Sequence, residues 1–551
     1  MTLEPVSSGR TSSATEITAR LAVVGEEAGG DLPLGRAATA VTAFVGRTLK
    51  GPVGEPTRID SFAQFQQIFG GLWQPSTLSY AVEQFFENGG EEAIVVRVVS
   101  GGRPPTLDIP CADDVLVLAG RCPGSREYLR ASVDYDALPG NEPTLFNLVV
   151  HRVRQPGSEL VEEQEIHRRL SVDPASPRYV ATVLDESRLV RVVGPVPAQR
   201  PDITRAGDPR ALVGYVFCNS DGDDGDPLSD YDIIGNEQRL SGLFALQAGA
   251  QFSLLCIPPL DRDRDVGMPT LLVAGRLCRQ QHAMLVVDPP HQWTDAGRAL
   301  DGMRRWPFHS SDALMYFPRI AAMDRLRNRV ETFASCGAVA GMLARRDRVL
   351  PVWQEQEGEV APLRPGLKPA LALDESERVL LANLGVNTFG PARGEHWHRL
   401  APRSLGATLG AAVEPRLLAG RRLALQIAAS VERGTRWVMY GTLDSERRAR
   451  VAAQVQVLLD GFAAEGAFAP GPRDCFVICD ERLNGPGVAR AGEFRVLFGY
   501  APLRSGEYQA FLTTHRPGGS ITRPVSVNRL ATVGERVEIE VQTSILRGLT
   551  L

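Results

Sequence analysis

Residues 81–99 read AVEQFFENGGEEAIVVRVV, a short amphipathic run, two glycines and then a dense β-branched stretch. Val82, Phe85 and Phe86 share one helical face, Asn88-Gly89-Gly90 suits a left-handed C-terminal cap, and Ile94, Val95, Val96 and Val98 form the next strand. A glycine turn holds phosphate when it follows a strand and opens a helix, because backbone N–H groups and the positive helix end then converge on the anion. Here the order is helix, glycines, strand. The turn presents carbonyls and is structural, so the stretch predicts one helix–strand unit of an α/β layer.

On the N-terminal side, VTAFVG (41–46) reads as a strand, LKGPVGEPTRI as a Gly-Pro loop and SFAQFQQIFG (61–70) as a short helix, which makes 41–100 one α/β layer. Residues 1–40 begin with Ser, Thr and Glu without periodicity and read as an arm, with Leu21, Ala22, Val23 and Val24 as an isolated strand. On the C-terminal side, 101–205 is a mostly β insertion in which DDVLVLAG and LFNLVVHRV alternate with polar turns. From 206 to 350 the α/β character returns: QFSLLCIPP, AMLVVDPP and DALMYFPRI are three apolar strands, and MPTLLVAGRLCRQQ is a helix between the first two. Residues 351–420 are a Pro-rich connecting segment. Residues 421–514 hold a long helix (RRLALQIAASVERGT), a strand (RWVMYG), a second long helix (SERRARVAAQVQVLLDGFAAEGAF) and three more strands. Residues 515–551 alternate apolar and polar residues without a helix to cover them and read as a second arm, with Val537, Glu538, Ile539, Glu540 and Val541 as its strand. The expected fold class is α+β and multidomain.

A chain of 551 residues is too long for one hydrophobic core and points to roughly three or four domains. No apolar run is long enough to cross a bilayer, so direct membrane insertion is not expected. The start, MTLEPVSSGRTSSATEITAR, lacks the basic and apolar segments of a secretory signal, which predicts synthesis and retention in the cytoplasm. A net charge of −5 argues against a nucleic-acid binder that works by neutralising phosphates. The eight cysteines, Cys111, Cys122, Cys218, Cys256, Cys278, Cys336, Cys475 and Cys479, are scattered through apolar segments and read as free core thiols.

Asp221, Asp223, Asp224, Asp226 and Asp230 are the densest carboxylate cluster, but the spacing lacks the twelfth-position Glu of a calcium loop and reads as a solvated Gly/Asp turn. His396 and His398 lie on one side of an extended segment without a third zinc ligand nearby. No GxSxG elbow, Walker loop, HExxH helix or Cys/His/Asn set occurs, so neither a cofactor nor a catalytic residue is assigned. The rival is an α/β hydrolase or nucleotide-binding enzyme using the strand ends near Pro258, Asp288 and Pro318.

TAFVGRTLKGPVGEPTRIDSFAQFQQIFGG (42–71), the opening stretch, YDIIGNEQRLSGLFALQ, FSLLCIPP, AMLVVDPPHQWT, ALMYFPRI, ASCGAVAGMLARRD, LGVNTF, the two-helix block from Arg421 and YAPLRSGEYQAFLTT (500–514) stand in one order. Together they resemble the contractile tail sheath family, which forms the outer sleeve of contractile phage tails, R-type bacteriocins and phage-derived injection systems. The likeness covers most of the chain from about residue 40 to 515. The start, ITARLAVVGEE, departs from the family's usual first strand, and LAPRSLGA replaces an arginine-threonine-leucine signature.

The resemblance implies an inner α/β domain made of N- and C-terminal parts, with inserted outer α/β and mostly β domains. It also implies terminal arms that add strands to neighbouring subunits, for which residues 21–24 and 537–541 are the candidates. The implied partners are further copies of the chain in a helical sleeve, an inner tube protein, baseplate and terminator or cap proteins, and sheath paralogues. No nucleic acid is implied. Finally, the helix from Ser445 places Val451, Val455, Leu458, Leu459 and Phe462 on one face, which leaves Arg447, Arg448 and Arg450 as candidate contacts to the tube.

Overall fold

The computed structural model describes residues 33–139, 142–205, 213–354, 362–390, 400–406, 417–441, 444–468, 475–501, 508–533 and 536–540. Its first layer holds β1 (Thr42–Gly46), β2 (Thr57–Ile59), α1 (Phe62–Phe69), α2 (Thr77–Glu87) and β3 (Ala93–Arg97). The turn between α2 and β3 is the expected one. Gly89 has φ of 101°, and a Cβ at Gly90 would stand 2.2 Å from the Phe85 ring, so one glycine supplies the left-handed backbone and the other a close approach.

After β3 the chain leaves for an insertion built of β4 (Thr106–Cys111), β5 (Asp114–Gly120), β6 (Tyr128–Asp134), β7 (Leu145–Val153), β8 (Val161–Ser171), β9 (Val190–Val192) and β10 (Val216–Phe217). They form two antiparallel sheets, β4-β5-β9 and β10-β6-β7-β8, over a shared core that includes Leu118, Phe146, Leu148 and Val180. The mostly β character is as expected, but the insertion closes beyond residue 205. Ser100 bridges to Asp226 and Arg103 to Asp223, so the aspartate-rich turn is the return half of its neck. Arg97 is 1% exposed at that neck and donates to Gly51 O at 2.7 Å and Pro123 O at 2.8 Å.

Next come β11 (Leu254–Cys256), α3 (Met268–Gln281), β12 (Met284–Val287), α4 (Ala296–Arg304), β13 (Ala313–Phe317), β14 (Ile320–Asp324), β15 (Arg329–Phe333), α5 (Cys336–Asp347), β16 (Lys368–Pro369), α6 (Glu375–Asn383) and β17 (Asn387–Thr388). A seven-stranded sheet runs β17-β13-β12-β11-β1-β3-β2, parallel throughout except for β2. Strand alternation sorts its side chains between two cores. Ala43, Val45, Ile94 and Val96 face α3 and α4, while Phe44 and Val95 face α1, α2 and α5. This sheet unites 41–100 with 254–388, whereas the sequence reading set 41–100 together with 421–514. The reason is that a strand buried on both faces announces a central place in a parallel sheet without naming its neighbours.

The last body holds α7 (Leu418–Gly434), a 3-10 helix (Arg436–Tyr440), α8 (Ser445–Ala464), β18 (Cys475–Ile478), β19 (Phe494–Tyr500), β20 (Gln509–Arg516) and β21 (Gly519–Val525), with the strands in sheet order β18-β19-β20-β21. RWVMYG is therefore helical rather than the strand expected. Thr435 Oγ1 donates to Val431 O at 2.6 Å, carrying the chain on from α7, and Trp437 and Val438 bury into the core shared with α8. Helix α7 serves two cores: Leu418 and Leu425 face the seven-stranded sheet, and Leu423, Ile427 and Val431 face the last body. The buried residues of α8 are Val451, Val455, Leu458, Leu459 and Phe462, as their spacing predicts. β20 and β21 pair from Ala510↔Val525 to Arg516↔Gly519, so residues 515–525 belong to this sheet, and the expected arm starts later than 515. Beyond it, β22 (Asn528–Val533) and β23 (Arg536–Glu540) form an antiparallel hairpin.

Candidate assembly surfaces

β21 is tied to the body by a buried polar cluster that joins α7, β20, β21 and the end of α3. Glu432, in the last turn of α7, accepts from Thr522 Oγ1 at 2.7 Å and lies 2.9 Å from Nε2 of His282, the C-cap of α3. Thr522 also meets Thr513 at 2.8 Å across the β20–β21 pair. His515 is wholly buried, with Nε2 2.8 Å from Thr435 Oγ1 and Nδ1 2.7 Å from Ser520 Oγ. Because the Thr435 hydroxyl is donated to Val431 O, the ring donates from Nε2, and in the neutral imidazole Nδ1 then accepts from Ser520 Oγ.

Burial lowers the pKa of His515 to about 4, with Glu432 pulling it up and Arg436 pushing it down. Burial raises that of Glu432, but hydrogen bonds from His282 and Thr522 outweigh it and hold the carboxyl below its ordinary range. A histidine depressed in the folded state contributes stability that is whole above about pH 6.5 and lost as pH falls towards about 4. Acidification across that window is expected to remove on the order of 2 kcal/mol, followed as a falling melting temperature. His515→Gln should flatten the curve between pH 6.5 and 4; identical pH profiles for the two chains would remove His515 as the titrating group.

The arm candidates fall as follows. Leu21, Ala22, Val23, Val24 and Val541 lie outside the described residues. Val537, Glu538, Ile539 and Glu540 are in β23, already paired with Thr532, Ala531, Arg529 and Asn528 of β22. A lone two-stranded hairpin is marginally stable and keeps two outer edges.

At the start of α8, Arg447, Arg448 and Arg450 are half-buried. Arg447 lies over the Trp437 ring at 5.9 Å, and Arg450 pairs with Glu446 at 3.1 Å. Asp444 caps the helix by accepting from Arg447 N at 2.8 Å. Asp444 and Glu446 thus supply the negative charge a helix start favours.

The residues that suggested chemistry have structural work. Asp288 is buried at the end of β12 and accepts from Ser335 N at 2.7 Å and Cys336 N at 2.8 Å, which caps α5; burial raises its pKa. At the topological switch between β1 and β11, where open α/β sheets hold ligands, the start of α2 fills the crevice with its own hydroxyls. Ser76 donates to Arg47 O and Thr77 to Pro259 O. In the aspartate cluster, Asp223 pairs with Arg103 at 2.7 Å, Asp224 accepts from Ser125 at 2.8 Å, and Asp230 accepts from Gly267 N at 2.7 Å. His396 and His398 lie outside the described residues. The eight cysteines are free thiols, with Cys218 and Cys475 half-buried and the others buried. Among the described residues no helix is long and apolar enough to cross a membrane.

The architecture defined by these elements is a multidomain mixed helix-and-sheet fold with several sheets, and it is shared with sheath tail proteins. The chain superposes on a sheath tail protein of Listeria innocua with a TM-score of 0.56 at 13% identity, over 89% of this chain and 98% of that one. It also matches a sheath tail protein of Desulfitobacterium hafniense (TM-score 0.48, 10% identity, 88% and 98% covered). A further match is the contracted sheath of an extracellular contractile injection system, PVC (TM-score 0.46, 14% identity, 92% and 95% covered). No protein-family model matches the chain, and no curated protein matches it in sequence.

Proposed function

We propose that this chain is the structural subunit of a contractile tail sheath, polymerising helically around an inner tube and contracting to drive that tube through a target envelope. The observation that carries the reading is the fold shared with the Listeria innocua sheath tail protein across nearly the whole of both chains. A head-to-tail interface that does not close generates a helix, so one chain covers a long tube. The extended array is kinetically trapped, and contraction exchanges its interfaces for more extensive ones.

Residues 21–24 and the hairpin containing 537–540 link neighbours by strand addition, and the first turns of α8, with Arg447, Arg448 and Arg450, face the tube. Baseplate and cap proteins, with sheath paralogues, occupy the two ends. The particle is assembled in the cytoplasm and works outside the cell that made it. The role is not catalytic: Asp288 caps a helix, and the switch-point crevice is filled by α2.

Electron microscopy of the purified chain, alone and mixed with an inner tube protein of a contractile system, tests the reading. Hollow sleeves and tube-filled sleeves are expected, and deletion of residues 1–24 should leave a folded protomer that builds neither. A chain that stays monomeric with the tube and turns over a hydrolase substrate would replace the reading with its rival.

A further inference from the structure

Residues 34–41 lie as a strap along α7. Arg422, Gln426, Ser430 and Gly434 are spaced four apart and make one stripe on that helix. Arg422 donates to Thr39 O at 3.0 Å, Gln426 donates to Ala37 O at 3.1 Å, and Ala37 N donates to Ser430 Oγ at 2.8 Å. At the end of the stripe a Cβ on Gly434 would stand 2.7 Å from the Leu34 side chain, so the absence of a side chain there makes the seat for Leu34.

Two charged clamps secure the strap. Near its start, Arg36 makes paired 2.8 Å bonds to Glu465, just past α8, and lies 4.1 Å over the Phe462 ring. Near its end, Thr39 Oγ1 donates to Asp347 at 2.7 Å, and Asp347 is held by Arg422 at 2.8 and 2.5 Å. The Arg422 and Asp347 side chains are only 4% and 5% exposed, so this pair is desolvated and screened little by salt. Through these contacts one short segment is fastened to α7, to α8 and to α5, and so to both the last body and the seven-stranded body. Immediately after it, Val41 O accepts from Ser253 N and Leu254 N as the chain enters the sheet.

We propose that this strap is the mechanical anchor of the N-terminal arm, with Arg36, Gln426, Ser430 and the Arg422–Asp347 pair as the positioning residues that pass a pull on the arm into both bodies at once. The inference rests on the reading that the arms link subunits. A pull along the α7 axis meets the side-chain bonds crosswise and must break them together, whereas a strap without them would peel residue by residue. Its backbone is served by side chains of one helix stripe rather than by a sheet ladder. That arrangement lets the arm be loaded without opening β1, whose ladder sits behind the strap.

The test is single-molecule pulling of the full chain between its N-terminus and a cysteine at the exposed position Glu375→Cys on α6, with Cys218 and Cys475 changed to serine. In the otherwise native chain the strap is expected to hold until the body yields. In an Arg36→Ala, Gln426→Ala, Ser430→Ala chain, an early low-force step should release residues 34–41; their contour is about 25–30 Å, of which about 18 Å is already spanned along α7, so the step should lengthen the chain by about 10 Å. An Ala37→Cys, Ser430→Cys disulfide placed in the Arg36→Ala, Gln426→Ala background should abolish that step. The proposal is overturned if the native chain gives the same early step at the same force. Sleeve growth is scored separately: a chain that holds its strap under load yet builds no sleeves keeps the anchor and loses the sheath reading, while short sleeves from the triple variant support both.

Discussion

A chain ending at Thr514 should fail to fold stably, while a chain ending at Val527 should fold and fail to assemble. The first cut removes His515 and the whole of β21, which pairs with β20 from Ala510 to Arg516 and supplies Thr522 to Glu432 and Ser520 to His515. It leaves the Glu432 carboxylate, 10% exposed in its side chain, without one of its donors and Thr513 without its partner. Two or three buried polar groups orphaned at about 1–3 kcal/mol each put the loss on the order of 5 kcal/mol, a large share of what a body of this size has. The second cut spares all of these contacts and removes only the β22–β23 hairpin and the residues after it. Urea unfolding and electron microscopy of the pair decide the matter. Equal stability of the two chains would show that β21 is not part of the body, and normal sleeves from the longer one would remove the C-terminal arm from assembly.

The other large effect lies where α2 and α5 cross. Gly337 and Gly341 are four apart on α5, on the side that faces α2. A Cβ at Gly337 would stand 1.9 Å from Ala81 O, and one at Gly341 would stand 2.3 Å from Phe85 O. These neighbours are backbone atoms of a helix pinned at Ser76 and Asn88, so the crossing cannot adjust by rotating a side chain. In an ordinary helix interior, glycine to alanine stabilises by about 1 kcal/mol. Here the sign should reverse, with Gly337→Ala costing about 2 kcal/mol and Gly337→Val about 3 kcal/mol or more. Thermal or urea unfolding reads it directly, and a Gly337→Ala chain more stable than the parent would mean that the helices stand farther apart than described.

Much of the fold was legible because its cues are local. The helix, glycine and strand order in 81–99, the apolar strands ending at Pro258, Asp288 and Pro318, and the spacing of Val451 to Phe462 are all periodic signals within a few turns. What failed was non-local or ambiguous. RWVMYG offered a short apolar run with aromatic residues, yet its backbone turns on helically from α7, with Val438 N donating to Thr435 O, and buries Trp437 and Val438 against α8. The placement of β1 beside β11 depends on a crossover from β3 that spans the whole insertion. The polar cluster under β21 draws on His282, Glu432, His515 and Thr522, separated by up to 240 residues in sequence, and no motif spacing could have gathered them. The strap could be found only once the four-residue stripe on α7 was seen to have an occupant. Asp288 shows the converse: a carboxylate after an apolar strand is as well suited to capping a helix distant in sequence, here α5, as to catalysis, and burial with two amide donors decides it.

The insertion leaves and re-enters the body at one spot, where Ser100 and Asp226 lie side by side on antiparallel segments. Such a doorway makes the β module an exchangeable cassette: a foreign domain with adjacent termini could be spliced in its place without stretching the sheet behind it. The doorway has a threshold, however. Arg97 keeps its guanidinium in the interior by donating to Gly51 O on one side and to Pro123 O on the other, and Pro123 belongs to the cassette. A splice placed beyond Pro123 keeps both acceptors. One placed before it strands half a buried cation, and the grafted chain then needs an apolar residue at position 97 to be tolerated.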